Sequence, residues 1–102
     1  MIDLSKIVGF EWDIWNIDKS YNKHGISPNE SEEIFLDEDV KIEKDLKHQQ
    51  QEKRFIAIGK TTENKLLFVI FTIRNDKIRI ISARTANKKE REVYNRVNRF
   101  YE

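Results

Sequence analysis

The second half of the chain alternates apolar and polar residues in the way that extended strands do. Between 65 and 74 apolar side chains fall on both faces of an extended chain, which is typical of a central strand. Asn75-Asp76 predicts a tight two-residue hairpin turn into a further strand over 77–84. A strand over 54–59 and a short, weak one over 40–43 come before them. Strands that follow one another through short turns indicate an antiparallel meander.

The first half of the chain predicts one strand and two helices. Residues 7–12 have strand character, and the apolar spacing that follows predicts a helix from Ile14 to His24, capped by Asp13 and ended by Gly25. Ser27, followed by Pro28 and by Glu30 three residues on, predicts the start of a second helix that ends near residue 35. The polar stretch 44–52 predicts a loop.

A last helix is predicted from Asn87 to the C-terminus. It carries Val93, Val97 and Phe100 on one face, and the opposite face holds a polar set: Lys88, Arg91, Asn95 and Arg99. The resulting order, β-α-α-β-β-β-β-α, predicts an α+β fold with a mostly antiparallel sheet and helices packed on it.

Length and composition narrow the class of protein. A chain of 102 residues suits a single domain over 1–102, and the absence of cysteine excludes disulfide scaffolds and thiolate chemistry. No stretch approaches the roughly 20 apolar residues of a membrane span, and the first residues do not resemble a signal peptide. We therefore expect a cytoplasmic protein that has no contact with a membrane.

Charge is divided unevenly along the chain. Residues 1–50 hold 6 basic and 12 acidic residues, whereas residues 51–102 hold 13 basic and 6 acidic residues. Within 77–99 there are 8 basic residues and 2 acidic ones. Such a segment is either a solvated helix face or a surface that binds a polyanion such as a nucleic acid.

Motifs for metal or nucleotide chemistry are absent from the sequence. His24 and His48 are the only histidines and belong to different predicted elements, and the three glycines are isolated from one another. No metal-protease, calcium-loop or phosphate-loop spacing occurs. We therefore expect no metal and no cofactor.

The polar residues do suit phosphodiester cleavage. Attack by an RNA 2′-hydroxyl needs a base, an acid and positive groups around the phosphorane, and an Arg fork meets two phosphate oxygens at once. These groups could come from Arg79, Arg84, Arg91, Tyr94 and His24.

Each of these residues also has a structural interpretation. His24 can interact with the carbonyl end of its helix, and Tyr94 borders an apolar helix face. Arg79 and Arg84 point to opposite faces of a regular strand, so both serve one site only if the strand bulges or ends between them.

Five short pieces of sequence follow one another in a family order. They are Phe10–Asp13, Asn22–Ile26, Arg54–Gly59, Arg79–Arg84, and Ala86 with Glu90-Arg91 and Tyr94. Together they resemble the BrnT toxin family of bacterial type II toxin–antitoxin systems. The resemblance implies a RelE-like fold and a metal-independent ribonuclease that arrests growth.

The resemblance also implies partners and site residues. The partners are RNA and a cognate BrnA-like ribbon-helix-helix antitoxin, which forms a heterotetramer with the toxin and carries it to operator DNA. Proton transfer, positioning and charge stabilisation are expected of Lys23, His24, Arg79, Arg84 and Tyr94. RNA phosphates are expected to contact Arg54, Lys88, Arg91 and Arg99. The competing hypothesis is a binding module, or degenerate toxin, that binds antitoxin or nucleic acid without cleavage.

Overall fold

A computed structural model describes residues 4–12, 25–45 and 53–99. The strands are β1 (Gly9–Trp12), β2 (Lys41–Lys44), β3 (Phe55–Lys60), β4 (Leu66–Arg74) and β5 (Lys77–Thr85). The helices are α1 (Pro28–Glu33) and α2 (Lys88–Arg99), and 3₁₀ turns occupy Leu4–Lys6 and Ile34–Leu36. The predicted helix over 14–24, with Lys23 and His24, and most of the predicted loop over 44–52 lie outside the described residues.

The strands form one five-stranded sheet in the order β1-β5-β4-β3-β2. From β2 to β5 every neighbouring pair is antiparallel, which confirms the predicted meander. At one edge β1 pairs with β5 in parallel, so the sheet is mixed at that edge. The first strand returns to the last one because both present apolar side chains to the same core, Phe10 beside Ile78 and Trp12 beside Ile80.

Local sequence rules explain how the predicted elements begin and turn. At the start of α1 the Ser27 hydroxyl accepts a hydrogen bond from the Glu30 N–H, and the Glu30 carboxylate accepts one from the Ser27 N–H. Asn75 and Asp76 have φ of 51° and 60°, the left-handed pair that a two-residue hairpin turn requires. Both features confirm predictions made from the sequence.

The core lies on one face of the sheet, which we call the core face. Leu67, Val69 and Phe71 of β4 are fully buried there, and Ile34 packs over them from the 3₁₀ turn after α1. Gly59 of β3 lets that turn approach closely, since a Cβ at this position would lie 3.0 Å from both Cβ and the carbonyl oxygen of Ile34. The described helices include none that is long and apolar enough to cross a membrane.

Candidate functional site

A β-bulge in β5 decides which side chains share a face of the sheet. Ile70 of β4 pairs with Ser82, but the next residue, Phe71, pairs with Ile80, so Ile81 is the extra residue. The bulge reverses the alternation of side chains in β5, and Ile78, Ile80 and Ala83 all point to the core face. A site shared by Arg79 and Arg84 requires the strand to bulge or end between them, and the bulge at Ile81 meets that requirement.

Arg79 and Arg84 consequently lie on the face opposite the core, which we call the arginine face. Arg79 is opposite Thr72 of β4 and Arg84 is opposite Phe68, four residues away along that strand. At about 3.3 Å per residue, the two positions are about 13 Å apart. Glu11 of β1 is the neighbour of Arg79 in the parallel pairing.

The Arg84 guanidinium is held on three sides. Its Nη1 and Nη2 donate to Oε1 and Oε2 of Glu90, each at 2.8 Å, and Nη1 also donates to the Thr85 carbonyl at 3.2 Å. The guanidinium carbon lies 4.1 Å from the centre of the Phe68 ring, a cation–π contact. Arg84 is thus fixed in orientation, and its charge is balanced by Glu90.

One edge of the Arg84 guanidinium carries two N–H groups that Glu90 and Thr85 do not engage. Glu90 and Thr85 engage three of the five N–H groups of Arg84, which leaves Nε–H and the second Nη2–H on a common edge. These two N–H groups have no acceptor within the part of the chain that the structure describes. They form a fork of the geometry that meets two phosphate oxygens.

Glu90 links the site to the last helix. Burial raises the pKa of its carboxyl, but the hydrogen bonds from Arg84 and from the Asn87 N–H outweigh burial, and the pKa lies below its ordinary value. Asn87 Oδ1 in turn accepts a hydrogen bond from the Glu90 N–H, which completes a capping box at the start of α2. Glu90 therefore orients Arg84 and begins α2 at the same time.

Tyr94 lies inside the protein. It is 2% exposed, and its hydroxyl donates to Asp37 Oδ2 at 2.7 Å. Burial raises the pKa of this phenol, and the hydrogen bond to Asp37 adds to the effect. Asp37 Oδ2 also accepts from the Lys60 N–H, so this carboxylate joins α2 to the end of β3.

The predicted phosphate contacts are spread over the molecule. Lys88 and Arg91 are exposed on α2, while Arg54 is half-buried immediately before β3. Arg54 lies near the Arg79 end of the sheet, since its neighbour Phe55 pairs with Phe71. Arg99 ends α2, and its side chain is not among those described.

Three residues of the site were not found from the sequence: Glu90 as the partner of Arg84, Asp37 as the partner of Tyr94, and Phe68 beneath Arg84. Glu90 belongs to the residues that carry the family resemblance, but the resemblance gives it no role, and no local pattern pairs Asp37 with Tyr94. Across the described ranges, no three His, Asp or Glu side chains are grouped so as to hold a metal ion.

Comparisons with known proteins identify the family and the fold. A family model described as the ribonuclease toxin BrnT of type II toxin–antitoxin systems matches residues 12–90. The fold is similar to the crystal structure of the Brucella abortus ribonuclease toxin BrnT, with a TM-score of 0.60 and 21% identity. That similarity covers 79% of this chain and 99% of the Brucella chain. No curated protein sequence matches the chain.

Proposed function

Since the chain belongs to the BrnT family of ribonuclease toxins of type II toxin–antitoxin systems, we propose that it cleaves RNA without a metal ion and so arrests growth. The RNA lies on the arginine face, and the reaction takes place in the cytoplasm, where RNA is accessible. The observation that carries this proposal is the bulge at Ile81, because it brings Arg79 and Arg84 onto one face of the sheet.

The proposed reaction uses the 2′-hydroxyl of the RNA as nucleophile. A base removes its proton, the 2′-oxygen bonds to phosphorus, and the 5′-oxygen leaves with a proton from an acid. The open edge of Arg84 and the side chain of Arg79 stabilise the negative charge of the phosphorane. Lys23 and His24, outside the described residues, are assigned the proton transfers: His24 from its chemistry and the family resemblance, and Lys23 from the resemblance alone.

The remaining site residues have supporting roles in this proposal. Tyr94 positions α2 through Asp37, since its buried hydroxyl already donates a hydrogen bond. RNA phosphates beyond the scissile one contact four further cations: Arg54, Lys88, Arg91 and Arg99.

The proposed partner is a BrnA-like ribbon-helix-helix antitoxin that forms a heterotetramer with the toxin. Family membership supports the existence of an antitoxin partner. The basic charge of residues 77–99 supports an antitoxin whose acidic residues cover β5 and α2. Operator DNA is bound by the antitoxin, and the toxin reaches it only through that partner.

A second candidate is a module that binds RNA or antitoxin without cleavage. The ion pair between Arg84 and Glu90 favours it, because a balanced guanidinium attracts a phosphorane less strongly than an unpaired one does.

One assay separates the two functions. The purified chain is incubated with end-labelled RNA in EDTA and in Mg²⁺, and the products are resolved on denaturing and native gels. Equal cleavage in both buffers supports the metal-independent nuclease. A mobility shift without cleavage supports the binding module. Cleavage that requires Mg²⁺ overturns the proposal of metal independence.

A further inference from the structure

A second basic surface lies beyond the arginine face, between α2 and the turn that joins β3 to β4. It is a cleft of about 510 Å³, and we call it the α2 cleft. Arg91 and Asn95 form its helical wall, and the other wall comes from the strand ends and their turn: Lys60, Asn64, Lys65, Leu66 and Thr85.

The charged residues that line the α2 cleft are all basic. Three of its lining residues are cations, Lys60, Lys65 and Arg91, and none is acidic. Lys65 is paired with Glu30 at 2.7 Å, and the Lys60 Nζ lies 5.7 Å from the centre of the Tyr94 ring, whereas Arg91 forms no ion pair with any described residue. The side-chain amides of Asn64 and Asn95 add neutral donors. An oxyanion entering the cleft therefore meets the Arg91 guanidinium, the Lys60 ammonium beside the Tyr94 ring, and two amides.

The cleft on the other side of Lys60 differs from the α2 cleft in the charge of its lining residues. It shares Lys60 and Asn64 with the α2 cleft, but it is also lined by three acidic residues, Glu33, Asp37 and Asp39. Cations are thus concentrated on one side of Lys60 and carboxylates on the other. A polyanion is attracted to the first side and repelled by the second.

The α2 cleft also lies next to the proposed reaction site. Thr85, which lines it, directly follows Arg84 at the end of β5, and the two side chains point to opposite faces of the sheet. Arg91, on the opposite wall, directly follows Glu90, the carboxylate that orients Arg84. An RNA strand whose phosphate is held at Arg84 on the arginine face therefore reaches the cleft by passing around the end of β5.

We propose that the α2 cleft is a binding subsite for a phosphate of the RNA that flanks the scissile one. This inference rests on the proposed function, and it adds Lys60, Asn64 and Asn95 to the residues that contact RNA. Arg91 receives the phosphate through its fork, and Lys60 approaches it as a point charge.

The test measures binding of an RNA that cannot be cut. A fluorescein-labelled 2′-O-methyl oligonucleotide of about 12 nucleotides is titrated with the protein in EDTA at several salt concentrations, and its anisotropy is followed. The cleft variant combines Lys60→Gln with Arg91→Gln. The matched control combines Lys89→Gln with Arg96→Gln, which removes the same charge from exposed residues of α2 outside the cleft.

We expect the cleft variant to bind at least about tenfold more weakly than the control at low salt, with a salt slope smaller by about 0.7 for each lost contact. Equal losses in both variants, or wild-type affinity in the cleft variant, would overturn the subsite. If the wild type binds and cleaves RNA in that case, the proposed function stands and only the subsite is wrong. If the wild type does not bind the oligonucleotide at any salt concentration, both proposals fail.

Discussion

Glu90 has two structural roles, one in the proposed site and one at the start of α2. Its carboxylate orients Arg84 through two hydrogen bonds and also accepts the Asn87 N–H at the start of α2. A substitution here therefore affects both the proposed site and the stability of the fold. Separating the two effects needs variants that keep one set of contacts.

Glu90→Gln should keep the helix cap and lose the charge pair. The Gln carbonyl can still accept the Asn87 N–H, so we expect a loss of about 1 kcal/mol or less in the free energy of unfolding. Glu90→Ala loses both contacts, and we expect a loss of about 1–2 kcal/mol. Urea unfolding of the two variants measures the difference. Equal stability of both would show that the cap contributes nothing.

Asp37 makes stability dependent on pH. Burial raises the pKa of its carboxyl, but hydrogen bonds from the Lys60 and Asp39 N–H groups and from Tyr94 outweigh burial, so the folded pKa lies below the ordinary value. A carboxyl with a lowered folded pKa stabilises the protein above its unfolded pKa, about 4. That contribution is lost as the pH falls through the folded value. Thermal unfolding should show a smaller loss between about pH 5 and pH 2 in Asp37→Asn than in the wild type. Identical slopes would contradict the account.

Tyr94→Phe tests whether this residue positions α2 or transfers a proton. Removing the hydroxyl deletes the hydrogen bond to Asp37, and we expect a loss of about 1–2 kcal/mol in the free energy of unfolding. RNA cleavage by the folded variant should fall by less than the roughly hundredfold effect of losing a general acid. A larger fall in a variant that remains folded would assign Tyr94 to the chemistry.

Among the elements, β3 and the 3₁₀ turn over Ile34–Leu36 are in close backbone contact at Gly59. A Cβ at Gly59 would lie 3.0 Å from two atoms of Ile34, one of them a backbone oxygen, and 3.1 Å from a methyl group of Val40. We expect Gly59→Ala to cost about 1–3 kcal/mol through overpacking. Thermal unfolding measures this, with Gly9→Ala, whose Cβ meets open space, as the control. Equal effects of the two substitutions would contradict the packing argument.

Local patterns specify a helix start and a hairpin turn, but they do not specify one of the strand pairings. The capping box at Ser27 and the turn at Asn75-Asp76 are encoded by neighbouring residues, so the sequence alone predicts them. The parallel pairing of β1 with β5 joins segments far apart in the chain, and no local pattern specifies it. The bulge at Ile81 is similar: the sequence showed that one was needed for a shared site, but its position depends on the register with β4.

Within the site, the basic residues could be predicted from the sequence, but the side chains that contact Arg84 and Tyr94 could not. The basic segment 77–99 is consistent with either a solvated helix face or a polyanion surface, and Arg79 and Arg84 do share a face. That Arg84 would be paired with Glu90, and Tyr94 with Asp37, depends on distances that follow from packing. The residues of the α2 cleft come from β3, β4, the turn between them, β5 and α2, so only the fold brings them together.

At the scale of the whole molecule, the uneven distribution of charge along the chain produces basic surfaces. The basic second half contributes β5 and α2, which carry the arginine face and one wall of the α2 cleft. Phosphate contacts release counterions from RNA. We therefore expect cleavage under subsaturating conditions to fall steeply between low and moderate salt. A flat response would contradict phosphate binding at these surfaces.

The most direct test of the central claim is the single-turnover rate of RNA cleavage in EDTA for Arg79→Ala and Arg84→Lys beside the wild type. Arg84→Lys keeps a cation near Glu90 but removes the fork, and Lys89→Ala serves as the control for a general loss of positive charge. The account predicts a fall of about 10²–10³ in each arginine variant and little change in the control. Wild-type rates in both arginine variants would show that the arginine face is not where RNA is cut.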